Sequence, residues 1–322
     1  MKMEQGSLGL NGSHSLRAEL LSALLNRTTG RYKRLTISPI RYAGGKSNAV
    51  GTIIEHFPDN LPLLISPFFG GGSVEIAAER FLAAKVVGFE IFDVLVNYWQ
   101  HQIAKPEALY DVLAKLKPTP EEYTRIKDYL KARWDRKNGL IDDPSTRDGL
   151  TLAAYYFFNH NLSYGPGFLG WPSKIYMDSV RYARLIERVR DFRAPNLMVR
   201  NQSFEHGFEE FPKAFFYCDP PYYLGEDTQM FRGLYPMRNF PVHHDGFPHE
   251  RLRDLLHSHK GDFVLSYNDC PTIRDWYRDF EILEPVWQYT MGQGETRVGK
   301  NRIEAGEDHV KKSHELLIVK RG

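Results

Sequence analysis

Asp219-Pro220-Pro221-Tyr222 follows directly on the apolar run Ala214-Phe215-Phe216-Tyr217-Cys218. Neither proline has an amide hydrogen and both rings fix φ, so the chain beyond Asp219 is stiff and the Pro220 carbonyl is open to accept. Asp219 supplies a second acceptor close by. Two acceptors converging on one point suit a group with two N–H donors, such as the exocyclic amine of a nucleobase, and Tyr222 adds a flat face for stacking. The lone pair of such an amine is delocalised into its ring. Accepting both hydrogens draws the nitrogen toward tetrahedral geometry and aims its lone pair at an electrophilic methyl group, so placement does more of the catalysis than basicity. As a plain strand end, the same aspartate would only cap a turn. Cys218, among apolar neighbours, reads as strand core.

A second constellation lies upstream. In LLISPFFGGGSVEIAA (63–78) a strand meets Gly70, Gly71 and Gly72, and Ser73 stands where a helix N-cap belongs. A ligand can press against such a backbone. Glu90 ends the following apolar run, where a carboxylate can bind both hydroxyls of a ribose. The glycines do not spell the dinucleotide fingerprint, so a nucleoside cofactor without a pyrophosphate fits better than a dinucleotide. RYAGGKSNAV (41–50) adds another glycine pair, with Tyr42 before it and Lys46 opening a predicted helix.

These residues need a sheet to bring them together. LLIS (63–66), KVVGFE (85–90), NLMVRN (196–201), AFFYCD (214–219), FVLSYN (263–268) and ELLIVK (315–320) are apolar on both faces, as buried parallel strands are. Helical patterns at 73–84, 177–192 and 249–259 alternate with them, which predicts an open, doubly wound, mostly parallel α/β sheet. From Lys105 to about Arg193 the strand signal vanishes. PEALYDVLAKLK and EEYTRIKDYLKARW carry helical spacing there, predicting an inserted helical lobe over 105–194 within a domain formed by 36–104 and 195–322. Residues 1–35 form an N-terminal extension without an assigned role.

With SPFFGGGSV, Glu90 and CDPPY in that order and YAGGK in front, the sequence resembles the Dam-type DNA adenine-N6 methyltransferases, which use S-adenosylmethionine. The likeness runs over most of Pro39 to Lys320. YAGGK is similar to the family's W-A-G-G-K, SPFFGGGSV to its E-P-F-x-G-x-G-x-V, and FFNHNLSYGPGFLG (157–170) to its L-N-R-x-x-Y-N-G segment. The resemblance implies a Rossmann-like methyltransferase fold with a target-recognition region ahead of the catalytic motif. It implies cofactor contacts from Tyr42, Ala43, Gly44, Gly45, Lys46, Pro67, Phe68, Gly70, Gly72, Ser73, Glu90, Ile91, Ser203, Phe204 and Asp219. Catalysis falls to Asp219, Pro220, Pro221 and Tyr222. Ser66, Tyr42 and Ser203 depart from the family's glutamate, tryptophan and aspartate.

Such an enzyme must flip its base out of double-stranded DNA. Asn159, Asn161 and Tyr164 in the recognition-like segment, Arg125 and Arg133 in a basic cluster, Arg184 on the helix face shared with Arg181 and Arg188, and Arg297 and Lys300 in the glycine-rich stretch 291–313 are the expected DNA contacts. Residues 223–247 are expected to form a lid over the flipped base. A net charge of +2 is silent on partners. His243, His244 and His249 form no recognised metal site, and methyl transfer from a sulfonium needs no metal. Two cysteines, no secretory signal and no membrane span are expected of a cytoplasmic, nucleoid-associated protein, and the resemblance leaves a restriction endonuclease counterpart open. The competing readings are a cytosine-N4 methyltransferase, which commonly carries serine in place of Asp219, an RNA methyltransferase, a nucleotide-cofactor oxidoreductase and a catalytically silent DNA-binding module.

Overall fold

The computed structural model describes residues 15–42, 44–139, 149–164, 167–223, 246–285 and 315–322, with the backbone alone at 135–139. Ala43, the 291–313 stretch with Arg297 and Lys300, and most of the expected lid lie outside the described residues.

Ahead of the sheet come α1 (Leu16–Leu24), a two-residue hairpin β1 (Leu25–Asn26) and β2 (Arg31–Tyr32), and α2 (Val50–Ile54). The main sheet holds β3 (Leu63–Ser66), β4 (Lys85–Glu90), β5 (Leu197–Asn201), β6 (Phe215–Cys218), β7 (Phe263–Asn268), β8 (Glu281–Leu283) and β9 (Glu315–Lys320). Its order is β5-β4-β3-β6-β7-β9-β8, parallel except where β9 pairs antiparallel with β7 and β8. The winding reverses between β3 and β6, and a doubly wound sheet places its ligand crevice at the carboxyl ends of strands around that switch. Both the glycine turn after β3 and Asp219 after β6 lie there.

Side chains alternate between two apolar layers. Leu64, Val86 and Val264 face one cluster, while Ile65, Val87 and Leu265 face the other. The first layer includes α1, α2, α3 (Ser73–Leu82) and the helices that follow β4; the second includes α9 (Phe204–Glu210), α10 (His249–Ser258) and α11 (Pro271–Trp276). Burial on both faces explains why these strands read as unbroken apolar runs.

Between β4 and β5 lie α4 (Asp93–Ala104), α5 (Pro106–Leu113), α6 (Pro120–Gly139), α7 (Gly149–Leu162) and α8 (Ser179–Arg190). Helix α7 packs on α4 and α5, and Leu152, Phe157 and Phe158 share the cluster that covers the sheet. Two local expectations change. The N-cap of α3 is Gly72, at φ 65°, and Ser73 is the first helical residue; a Cβ at Gly72 would also lie 2.8 Å from the Phe69 ring. Lys46 precedes α2 in a turn instead of opening it.

Candidate active site

Rigid anchors shape the glycine turn. Phe69 donates its amide to the Phe89 carbonyl at 3.0 Å, Trp99 donates its indole N–H to the Gly70 carbonyl at 2.9 Å, and the Tyr42 side chain lies close over the turn. A Cβ at Gly71 would come 2.6 Å from the Tyr42 Cβ, so only glycine lets the two segments meet. Glu90 closes the other side. Its carboxylate accepts from Gly70 N–H at 3.2 Å and Phe92 N–H at 3.0 Å, and burial pushes its pKa above the usual carboxylate range.

Next to it Ile91 is 53% exposed. Asn201 at the end of β5 donates its amide to the Glu90 and Ile91 carbonyls, at 3.0 and 3.1 Å. An immobilised carboxylate beside an exposed apolar side chain, at the carboxyl edge of the sheet, fits a nucleoside: the carboxylate takes the sugar hydroxyls and the apolar face takes the base. Ser203 is half-buried at the start of α9 with Oγ 3.3 Å from His206 Nδ1, while Phe204 is buried and stacks on Phe68 at 5.4 Å. Pro67 and Ser73 are buried, and Gly44 and Gly45 are half-buried in the turn leading to Lys46.

Lys46 is where the two constellations meet. Its Nζ donates to Asp219 Oδ1 at 2.8 Å and to Tyr222 Oη at 3.3 Å, and lies 3.7 Å from Glu315 Oε1. The Lys46 side chain is 4% exposed and that of Asp219 23%. Asp219 Oδ2 and the Pro220 carbonyl receive no hydrogen bond among the described residues. The resemblance implies that Lys46 helps hold the cofactor; in the structure its Nζ lies against the Asp219 carboxylate. Tyr222 is 6% exposed, with its hydroxyl on Lys46, so the expected open stacking face is not presented.

Two further acids surround this pair, and neither was singled out from the sequence. Glu75 on α3 accepts from Ser66 Oγ at 2.7 Å, and Glu315 opens β9. Burial raises both, Glu75 to about 7 and Glu315 to about 8; Asp219 adds repulsion and Lys46 offsets part of it. Burial also raises Asp219, against the pull of Lys46. Ser66 stands where the resembling family has glutamate, and Glu75 returns a carboxylate to that spot from the first turn of α3. The signal for Glu315 was a charge opening a strand that stays apolar up to its last residue, Lys320.

The loop carrying Asp219 is clamped from β7. Asn268 donates its amide to the Tyr223 carbonyl and accepts from Tyr223 N–H, both at 2.8 Å, and is itself 2% exposed. The FVLSYN run advertised a strand, not this clamp.

The expected DNA residues divide. Asn159 and Asn161 are both 0% exposed. Asn159 Oδ1 accepts from Leu169 N–H at 2.8 Å; Asn161 accepts from Arg41 N–H at 2.8 Å and donates to the Phe157 carbonyl at 2.9 Å. Their side chains hold neighbouring segments and offer no surface to a duplex. Tyr164, Arg125 and Arg184 are exposed, and Arg133 is half-buried. Arg125 forms an ion pair with Glu122 and bonds the Tyr155 hydroxyl, and Arg188 turns inward to the Ser38 carbonyl.

A doubly wound sheet with a carboxylate ending its second strand and an Asp-Pro-Pro turn after its fourth has the architecture of nucleotide-binding α/β proteins. Residues 42–291 match the D12 class N6 adenine-specific DNA methyltransferase family, and the chain belongs to that family. Over 194 residues it is 26% identical to the type II methyltransferase M.FokI of Planomicrobium okeanokoites, a match that covers 58% of this chain and 29% of that protein.

Proposed function

We propose that this protein transfers a methyl group from S-adenosylmethionine to the N6 amine of an adenine flipped out of double-stranded DNA. The observation that carries the reading is the pairing of an unengaged Asp219 Oδ2 with an unengaged Pro220 carbonyl, on a loop held at both ends by Lys46 and Asn268. Family membership supports the same base and atom.

Glu90 and Ile91, with the turn at 70–72 and Ser203 and Phe204, would hold the cofactor's nucleoside. When bound, S-adenosylmethionine supplies an electrophilic methyl on a sulfonium. Asp219 and the Pro220 carbonyl accept the two amine hydrogens and direct the nitrogen lone pair. Lys46 fixes one Asp219 oxygen, which leaves the other facing the base. The extruded nucleotide is paid for by contacts to the duplex, for which Arg125, Arg184 and Tyr164 are the exposed candidates among the described residues. Helices α5 to α8 are the proposed target-recognition region.

Incubation with methyl-labelled S-adenosylmethionine and DNA, followed by digestion to nucleosides, tests this reading. Label in N6-methyladenine is expected; label in N4-methylcytosine, or none in DNA, refutes it.

Asn268→Ala removes both bonds to Tyr223 without touching the base. It is expected to slow methyl transfer roughly ten- to a hundredfold through misplacement of the acceptors. Cofactor affinity by calorimetry should hold, so equal losses in both measurements would contradict a purely positioning role.

A further inference from the structure

A tryptophan is displayed at the surface by a turn that several hydrogen bonds hold to the rest of the molecule. Trp171 is 76% exposed, yet the described residues of the turn beneath it are anchored at several points. Ser163 and Pro172 form an isolated antiparallel bridge, Tyr164 N–H donates to the Trp171 carbonyl at 2.6 Å, and Ser173 N–H donates to the Leu162 carbonyl at 2.9 Å. The Gly170 carbonyl accepts from both the Tyr123 hydroxyl, at 3.0 Å, and Lys127 Nζ, at 3.1 Å. Phe168 and Leu169 are buried as the turn's footing.

Leu169 sits at φ 57°, a left-handed conformation that a branched side chain avoids, and the buried Asn159 holds its amide there. Strain of this kind persists only where the surroundings impose it, and here it sets the direction in which the next residues leave. The Trp171 ring stays in solvent together with Tyr164, Ile175 and Val180 from the same stretch of chain, and a concentration of exposed apolar side chains marks an interaction surface.

The charge around the ring selects that partner. Lys127 Nζ lies over the Trp171 ring at 5.0 Å from its centroid. Lys174, Arg181 and Arg184 are exposed on the following segment, and its acid, Asp178, is committed to capping α8 through Arg181 N–H. An exposed aromatic ring set among cations is the chemistry that grips a nucleobase between phosphates. The turn is also tied to the segment that carries Lys46: Arg41, five residues ahead of it, donates to the Asn161 carbonyl at 2.6 Å and reaches the Ser163 carbonyl at 3.5 Å.

We infer that Trp171, displayed on this turn beside Tyr164, is a DNA-contact residue that stacks on a nucleobase. The inference rests on the proposed DNA methyltransferase function. The test is equilibrium binding of a labelled duplex carrying the sequence that the wild-type protein methylates, compared for wild type, Trp171→Ala and Trp171→Phe. Trp171→Ala is expected to weaken duplex binding roughly tenfold, with S-adenosylmethionine affinity unchanged, and Trp171→Phe to keep most of the duplex affinity.

Wild-type duplex affinity in Trp171→Ala overturns the inference while leaving the methyltransferase reading intact. So does equal weakening by alanine and phenylalanine, which removes stacking as the cause, or a loss confined to self-association on sizing columns, which marks a protein-docking residue. A wild-type protein that neither binds nor methylates duplex DNA overturns both.

Discussion

Asp219→Ala is expected to lower the single-turnover methylation rate roughly a thousandfold, the scale on which a preorganised contact to a reacting centre acts. Cofactor affinity should stay within a few fold, because Glu90 and the glycine turn lie on other strands. The fold should survive as well. Lys46 keeps Glu315 at 3.7 Å and the Tyr222 hydroxyl at 3.3 Å, and removing one negative charge relieves the repulsion that Asp219 exerts on Glu75 and Glu315. Asp219→Asn separates geometry from charge. Its amide carbonyl keeps one acceptor, so it should retain more activity than alanine. Rapid-quench measurement of methyl transfer decides the matter: an alanine variant within tenfold of wild type would remove Asp219 from the reaction.

Lys46→Met should have the largest effect on stability. A nearly buried cation is removed from among Asp219, Glu315 and Glu75, and breaking a buried pair from one side costs about 3–5 kcal/mol, or a fall in Tm of ~10 °C. The loss should depend on pH, with a sign fixed by the three acids. Each has a folded pKa above its ordinary value, so each stabilises fully below that ordinary value, and its contribution is lost as pH rises through the folded pKa, about 7 for Glu75 and about 8 for Glu315. Lys46 lowers all three, and without it they rise further. The variant's deficit should therefore be smallest near pH 5, where Glu75 and Glu315 are protonated, and grow toward pH 9. Thermal melts across that range check it; a deficit independent of pH would mean that packing, not charge, is what Lys46 supplies. Methyl transfer should fall too, since one Asp219 oxygen loses its tether.

The strands were the most legible feature. LLIS, KVVGFE, FVLSYN and ELLIVK form β3, β4, β7 and β9 to the residue, because a strand covered on both faces has no polar positions to blur its ends. Strand β8 escaped because Glu281–Leu283 is short and lies at the sheet edge. Helix α4 escaped for the opposite reason: DVLVNYWQHQIA is apolar on several faces and shows no clean helical stripe.

At the candidate site, Asp219, Pro220, Glu90 and the glycine turn stand out because the chemistry proposed for them is local in sequence. The Lys46 pair and the acids around it were not, since α3, the loop before α2 and β9 bring together residues as distant as 46 and 315. Asn159 and Asn161 misled by residue type. An asparagine that bonds backbone inside a helical core looks, in sequence, like one waiting for a base.

A crystal structure of the protein with a non-reactive analogue of S-adenosylmethionine and a duplex bearing its target adenine measures the decisive distances. The two-acceptor pocket predicts the N6 amine within about 3.2 Å of both an Asp219 carboxylate oxygen and the Pro220 carbonyl. An amine beyond hydrogen-bond reach of either oxygen, or a base seated away from residues 219–222, would contradict it.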